Sequence, residues 1–112
     1  MCYFTNEGLY GALNILQYEP EIRPDVLIQF TPDEKRVSAH RKFLVWIFEI
    51  HFKLKSTLWG PTCDSIDKLF DDFDMKILET GDYLVWYNMG AYTTVCATSF
   101  NNFDLPTTIF IQ

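Results

Sequence analysis

Trp59-Gly60-Pro61-Thr62-Cys63-Asp64-Ser65-Ile66-Asp67-Lys68-Leu69-Phe70 is the stretch on which the reading of this chain turns. Pro61 fixes its own φ and biases Gly60 away from the helical region, so the chain must bend there. Beyond the bend, Ile66, Leu69, Phe70 and Phe73 fall at i, i+3, i+4 and i+7, the apolar stripe of one short helix after Cys63. That spacing predicts that Cys63 and Asp64 stand at or just before a helix N-terminus, where unpaired backbone N–H groups favour negative charge. A thiol so placed is more reactive than an ordinary buried one. The plainer alternative is a small buried cysteine beside an N-capping aspartate.

On either side the pattern is β. Cys2-Tyr3-Phe4-Thr5 reads as the end of a strand and Asn6-Glu7-Gly8 as a turn. Leu9 to Tyr18 reads as a second strand weakened by Gly11. A loop with Pro20 and Pro24 leads to a short strand over Val26 to Phe30. Downstream, Met75–Glu79, Tyr83–Tyr87, Ala91–Phe100 and Thr107–Ile111 read as strands, parted by turns at Gly81 and Gly90 and a loop over Asn101–Pro106. Short strands with regular turn signals and one helix predict a mainly β chain, a small β-sandwich or barrel.

Val37 to Leu54 stands apart. Phe43 to Phe48 is an unbroken apolar run, after which Glu49, His51 and Lys53 alternate with Ile50, Phe52 and Leu54. A strand and a helix capped by Ser38 both remain open, and the run is too short and too charged at its ends to span a bilayer. His40 and His51 lie here without spaced partner ligands, which favours surface or cross-strand histidines over a metal site.

At 112 residues the chain is one domain, and 48% hydrophobic with 17% aromatic content marks it as folded. A net charge of −6 argues against a nucleic-acid partner, which asks for a basic face. Cys2, Cys63 and Cys96 are too few and too scattered for a disulfide framework or a zinc site. No charged leader with an apolar run and cleavage site is seen, so a reducing, cytoplasmic setting with no membrane is the expectation.

Several blocks together resemble the C-terminal β-domain of eukaryotic ornithine decarboxylase, a pyridoxal-phosphate enzyme of the alanine-racemase-like type. They are Asn6-Glu7-Gly8-Leu9-Tyr10-Gly11, Leu58 to Asp64 with Asp67, Gly81-Asp82, Asn88-Met89-Gly90-Ala91-Tyr92-Thr93, and Ser99-Phe100-Asn101 with Pro106-Thr107. Their order and spacing match the family's except over 37–54, which reads as an atypical apolar insertion.

The resemblance implies a role for each matched residue. Cys63 corresponds to the cysteine that reaches into a neighbouring subunit's site and helps reprotonate the carbanion left after CO₂ departs. Asp64 corresponds to the carboxylate that receives the substrate's distal ammonium. Tyr92 matches the tyrosine beside the cofactor phosphate, and Phe100 an aromatic wall of the substrate pocket. Tyr10 and Tyr18 match aromatics at or near the site, Tyr10 on the substrate side and Tyr18 on the cofactor side. Glu19 stands where the family commonly has an aspartate that contacts the distal amine. One extra methylene there misplaces a carboxylate, and an error of about 1 Å can cost roughly 10²-fold in rate.

The implied activity is ornithine to putrescine plus CO₂ in polyamine synthesis, by a homodimer acting on a small amino acid. The 112 residues contain neither the barrel nor the Schiff-base lysine of that family, so the expectation is that they neither hold the cofactor tightly nor decarboxylate unaided. The alternatives are a non-catalytic regulator like the antizyme inhibitors, with antizyme as partner, and an inactive truncated product.

Overall fold

The computed structural model describes residues 1–27, 53–90 and 92–111. The described residues form five strands: β1 (Cys2–Phe4), β2 (Asp25–Leu27), β3 (Leu54–Trp59), β4 (Lys68–Met75) and β5 (Tyr83–Val85). They form two open sheets, one ordered β1-β3-β4 and one pairing β2 with β5, and no barrel closes among the described residues. β1 runs parallel to β3, with Tyr3 opposite Leu58, and β4 runs antiparallel to it. The mainly β expectation holds, and Val26 lies in a strand as expected, opposite Leu84.

The short helix after Cys63 does not form; Ile66 lies in a turn, and Leu69, Phe70 and Phe73 lie in β4. The register explains why they imitate a helix. Ser56 faces Phe73 and Leu58 faces Phe70, so two residues of β3 are matched by three of β4. Asp72, in the left-handed region at φ 49°, lies in that bulge. A second irregularity follows, because Trp59 faces Lys68 and Leu69 is the extra residue. Each insertion shifts the in–out alternation by one. Leu69, Phe70 and Met75 are therefore buried and Phe73 half-buried, a spacing that reads as 3.6 when it is a twice-bulged 2. The helix N-terminus that was to activate Cys63 goes with the helix.

Leu9 to Tyr18 is not a strand either. It is a compact turn ending in a 3₁₀ segment at Asn14–Gln17. Side chains take the backbone groups a ladder would need: Ala12 N donates to Glu7 Oε2 at 2.7 Å and Asn14 Nδ2 to Leu9 O at 2.9 Å. The turn points Leu9, Leu13 and Leu16 inward, where they pack with Leu58, Leu69 and Phe70 to form the core. Met75 ends β4, so Met75–Glu79 is no separate strand, and β5 stops at Val85, short of Tyr87. Over 92–100 the expected strand is replaced by turns, with a 3₁₀ segment at Thr94–Cys96 held by Thr93 Oγ1 donating to Gly90 O at 2.7 Å. Thr107–Ile111 joins no sheet among the described residues.

Of the atypical segment at 37–54, only Lys53 and Leu54 are described, and Leu54 opens β3. The rest, with His40 and His51, lies outside the described residues. No described helix is long and apolar enough to cross a membrane.

Candidate functional site

The Gly60–Ile66 turn is built around a buried carboxylate. Asp67 is wholly buried. Its Oδ1 accepts Leu9 N at 2.8 Å, and its Oδ2 accepts Thr62 N at 3.1 Å and Thr62 Oγ1 at 2.7 Å. Three donors satisfy a charge that would otherwise be costly away from water. The backbone closes on it as well, with Gly60 N donating to Asp67 O at 2.8 Å. A Cβ at Gly8 or Gly60 would meet Asp67 Oδ1 at 2.3 or 2.2 Å, so both positions must be glycine while that carboxylate is in place. Asp67 thus ties the turn after β1 to the turn after β3.

On this support Asp64 is fixed from two sides. Ile66 N donates to its Oδ1 at 2.9 Å in a local aspartate turn, and the Tyr10 hydroxyl donates to its Oδ2 at 2.5 Å. The Tyr10 ring stacks on Phe100 with centroids 4.2 Å apart and planes 24° apart. Tyr10 O accepts both Thr98 N at 2.8 Å and Thr98 Oγ1 at 3.1 Å, which docks the 98–102 segment onto the same turn. Asn101, left-handed at φ 58°, aims its Nδ2 at Cys63 Sγ, 3.7 Å away. Cys63 is exposed and Asp64 half-buried, so both face a surface and not the interior of the fold.

The hydrogen bond from Tyr10 holds the Asp64 carboxyl below its ordinary range, assisted by the Ile66 N–H and opposed by partial desolvation. The same bond, with desolvation and the Asp64 charge, pushes the Tyr10 phenol up. Because the folded Asp64 value is depressed, its contribution to stability is present above the unfolded carboxyl pKa of about 3.9 and is lost as pH falls through the folded value. The raised phenol contributes below an unfolded pKa of about 10 and loses that contribution as pH climbs through the folded value. Tyr10→Phe is therefore expected to destabilise the domain at neutral pH, with the difference from wild type shrinking in acid and again in strong alkali. Urea denaturation across pH, with an NMR titration of the Asp64 carboxyl, checks this; an unchanged carboxyl titration in the variant would contradict it.

Four sequence-predicted residues, Cys63, Asp64, Tyr10 and Phe100, come together. Glu19, Tyr18 and Tyr92 do not join them: Tyr18 is 76% and Tyr92 73% exposed, Glu19 is exposed, and no side-chain hydrogen bond or ring contact among the described residues links any of the three to the cluster. Sequence reasoning gave no site role to Asn101 or Thr98, and it did not see Asp67 as the support. The pair Asn101-Asn102 was the available signal, since asparagine tolerates the left-handed region that both residues occupy.

The family model for the pyridoxal-dependent decarboxylase C-terminal sheet domain matches residues 1–90. The chain belongs to this family. Ornithine decarboxylase 2 of Drosophila melanogaster is 38% identical over 113 aligned residues, covering all of this chain and 24% of its own length. Antizyme inhibitor 2 of Xenopus laevis is 31% identical, over 91% of this chain and 19% of its own length. The crystal structure of the Paramecium bursaria Chlorella virus arginine decarboxylase bound to agmatine superposes with a TM-score of 0.66 at 30% identity, covering 91% of this chain and 24% of that one. The decarboxylase sheet domain described here thus spans about a fifth to a quarter of the length of these relatives.

The described residues gathered at this site do not fit the whole task of holding pyridoxal phosphate. The cluster of Tyr10, Cys63, Asp64, Phe100 and Asn101 contains no amine for a Schiff base and no cation for a phosphate. Lys55 pairs with Asp74 at 3.3 Å, Lys68 pairs with Asp71 at 2.6 Å, and Arg23 lies over the Phe70 ring at 4.7 Å. What the cluster does offer is a carboxylate, a thiol and an aromatic wall.

Proposed function

We propose that this sheet domain serves an ornithine decarboxylase-like enzyme, lending Cys63 and Asp64 to a pocket whose cofactor side lies in another lobe or subunit. The observation that carries the reading is the surface pairing of an oriented thiol with an oriented carboxylate, held by Asn101 and Tyr10 on one stiff turn. A carboxylate kept ionised by two hydrogen bonds suits a primary ammonium. The stacked Tyr10 and Phe100 rings suit the methylenes of an aliphatic diamino acid. An accessible thiol suits delivery of a proton to the carbon that loses CO₂. Pyridoxal phosphate, held elsewhere in such an enzyme, supplies the electron sink. Tyr92, Tyr18 and Glu19, exposed in the lone domain, belong on this reading to the face that a homodimeric partner or the cofactor-bearing lobe covers, in the cytoplasm, with putrescine as product.

The relation to an antizyme inhibitor favours a second reading, a non-catalytic protein that binds antizyme; Glu19 in place of the family's aspartate leans the same way. The test replaces the C-terminal sheet domain of the Drosophila relative with this chain and assays putrescine formation from ornithine. Turnover by the graft is the expected result. A folded, cofactor-loaded graft that is inert overturns the enzymatic reading. The isolated 112-residue chain, purified away from free pyridoxal phosphate after incubation with it, is expected to retain no cofactor absorbance band; a retained band would contradict the incomplete pocket.

A further inference from the structure

Tyr10 holds both halves of the cluster at once. Its hydroxyl grips Asp64, its ring stacks on Phe100, and its carbonyl accepts the Thr98 N–H and hydroxyl. The Thr98 hydroxyl does double service, donating to Tyr10 O while accepting Phe100 N at 3.3 Å. This local threonine turn fixes where Phe100 leaves the segment, and so where Asn101 begins. Just beyond, Asn102 N donates to Ser99 O at 3.0 Å and ties the segment off. The path closes on itself. It runs from Asp64 to Tyr10, on to Thr98 and Phe100, from Asn101 to Cys63, and back to Asp64 through one peptide bond.

Asn101 is the link that demands one residue type. Its backbone sits at φ 58°, ψ 24°, a region that glycine, asparagine and aspartate tolerate and other residues avoid. Of those three, only asparagine carries a side-chain N–H; aspartate would turn an acceptor toward the sulfur and glycine would offer nothing. Sulfur is a weak acceptor, so the 3.7 Å contact adds little to stability. Its effect is directional, selecting one of the three staggered positions open to a side chain on an exposed turn. Among the described residues no hydrogen bond joins Thr98 to Cys63 or Asp64, so any influence of Thr98 on the thiol passes through Asn101.

We propose that Asn101 and Thr98 are positioning residues for the Cys63 thiol: Asn101 aims the sulfur, and the clasp of Thr98 on Tyr10 sets Asn101 in place, so that acid and thiol take their geometry from one anchor. The consequence for turnover rests on the enzymatic reading above; the aim itself rests on the bonds alone. A reacting group misplaced by about 1 Å loses up to roughly 10²-fold in rate. A thiol released among three rotamers, one of them productive, loses less, about three- to tenfold. Asp64 keeps its own bonds from Tyr10 and Ile66, so the grip on a substrate ammonium is left intact.

The test reads the Hα–Hβ couplings of Cys63 by NMR in the 112-residue chain, and kcat and KM in the Drosophila graft. Asn101→Gly keeps the left-handed backbone and removes the donor; Thr98→Val keeps the shape and removes the hydroxyl. The wild type should show one Cys63 rotamer, both variants averaged couplings, and Thr98→Ser the wild-type pattern again. In the graft, each variant should lower kcat about three- to tenfold with KM changed less than about twofold, and neither should lower the rate further once Cys63 is alanine. Couplings already averaged in the wild type, or unchanged in both variants, overturn the proposal. So does an equal loss in the Cys63→Ala background, or a rise in KM as large as the fall in kcat, since either marks a general loosening of the turn. If Thr98→Val fails to fold, Asn101→Gly, at an exposed position, decides alone. An inert unmodified graft overturns the enzymatic reading instead, and the couplings then decide the aim of the thiol.

Discussion

Asp67→Ala is expected to remove about 3–5 kcal/mol of stability, a large share of what a domain this size possesses. The variant strands three donors, Leu9 N, Thr62 N and Thr62 Oγ1, and leaves a void where a wholly buried side chain stood. A hydrogen bond to a charged group contributes about 1.5–3 kcal/mol, and the losses are only partly additive. The melting temperature should fall by roughly 15–30 °C. Asp67→Asn keeps the shape but turns an amide toward donors, so it should cost about half as much. Gly60→Ala gives a sharper version of the same claim. Its Cβ would lie 2.2 Å from Asp67 Oδ1, an overlap costing about 1–3 kcal/mol. Combined with Asp67→Asn the steric cost should persist, and combined with Asp67→Ala it should nearly vanish. Urea midpoints of the five variants decide this, and additive losses in the Asp67→Ala pair would show that the carboxylate is not what enforces the glycine.

In the Drosophila graft, Cys63→Ala is expected to lower kcat by about 10²–10⁴-fold, the usual contribution of a positioned proton donor, with little change in KM. Asp64→Ala should divide differently. On its proposed role, losing a charged hydrogen bond to the substrate's distal amine should raise KM by roughly 10–100-fold, with the smaller part of the effect in kcat. The two residues are neighbours on one turn, so a shared collapse of that turn would move both parameters in both variants. The separation of kcat from KM is therefore the readout that distinguishes chemistry from scaffolding. Equal effects of the two substitutions on both parameters would contradict the assigned roles.

The bend at Gly60-Pro61 was legible because proline and glycine impose their conformations locally. So was the grouping of Tyr10, Cys63, Asp64 and Phe100, through motifs whose order and spacing belong to one family. The helix at Ile66–Phe73 was misread for a physical reason. Two bulges insert unpaired residues into β4, and only the partner strand β3 reveals that the inward spacing of three is an interrupted alternation. The strand over Leu9–Tyr18 was misread because Glu7 and Asn14 capture backbone donors and acceptors through their side chains. Period-counting does not register such bonds.

Local chemistry alone settled where this chain bends and which residues could supply a carboxylate or a thiol there; the family came from the resemblance of whole motif blocks. Only the tertiary structure decided that Asp67 is the buried tie between two turns, that Tyr10 and Asn101 aim at Asp64 and Cys63, and that Tyr18 and Tyr92 stand apart from them. Those are contacts between residues some 40 to 60 positions apart, such as the 58 that separate Leu9 from Asp67. Their geometry is set by how β1, β3 and the 98–102 segment pack against one another, and no local pattern encodes that.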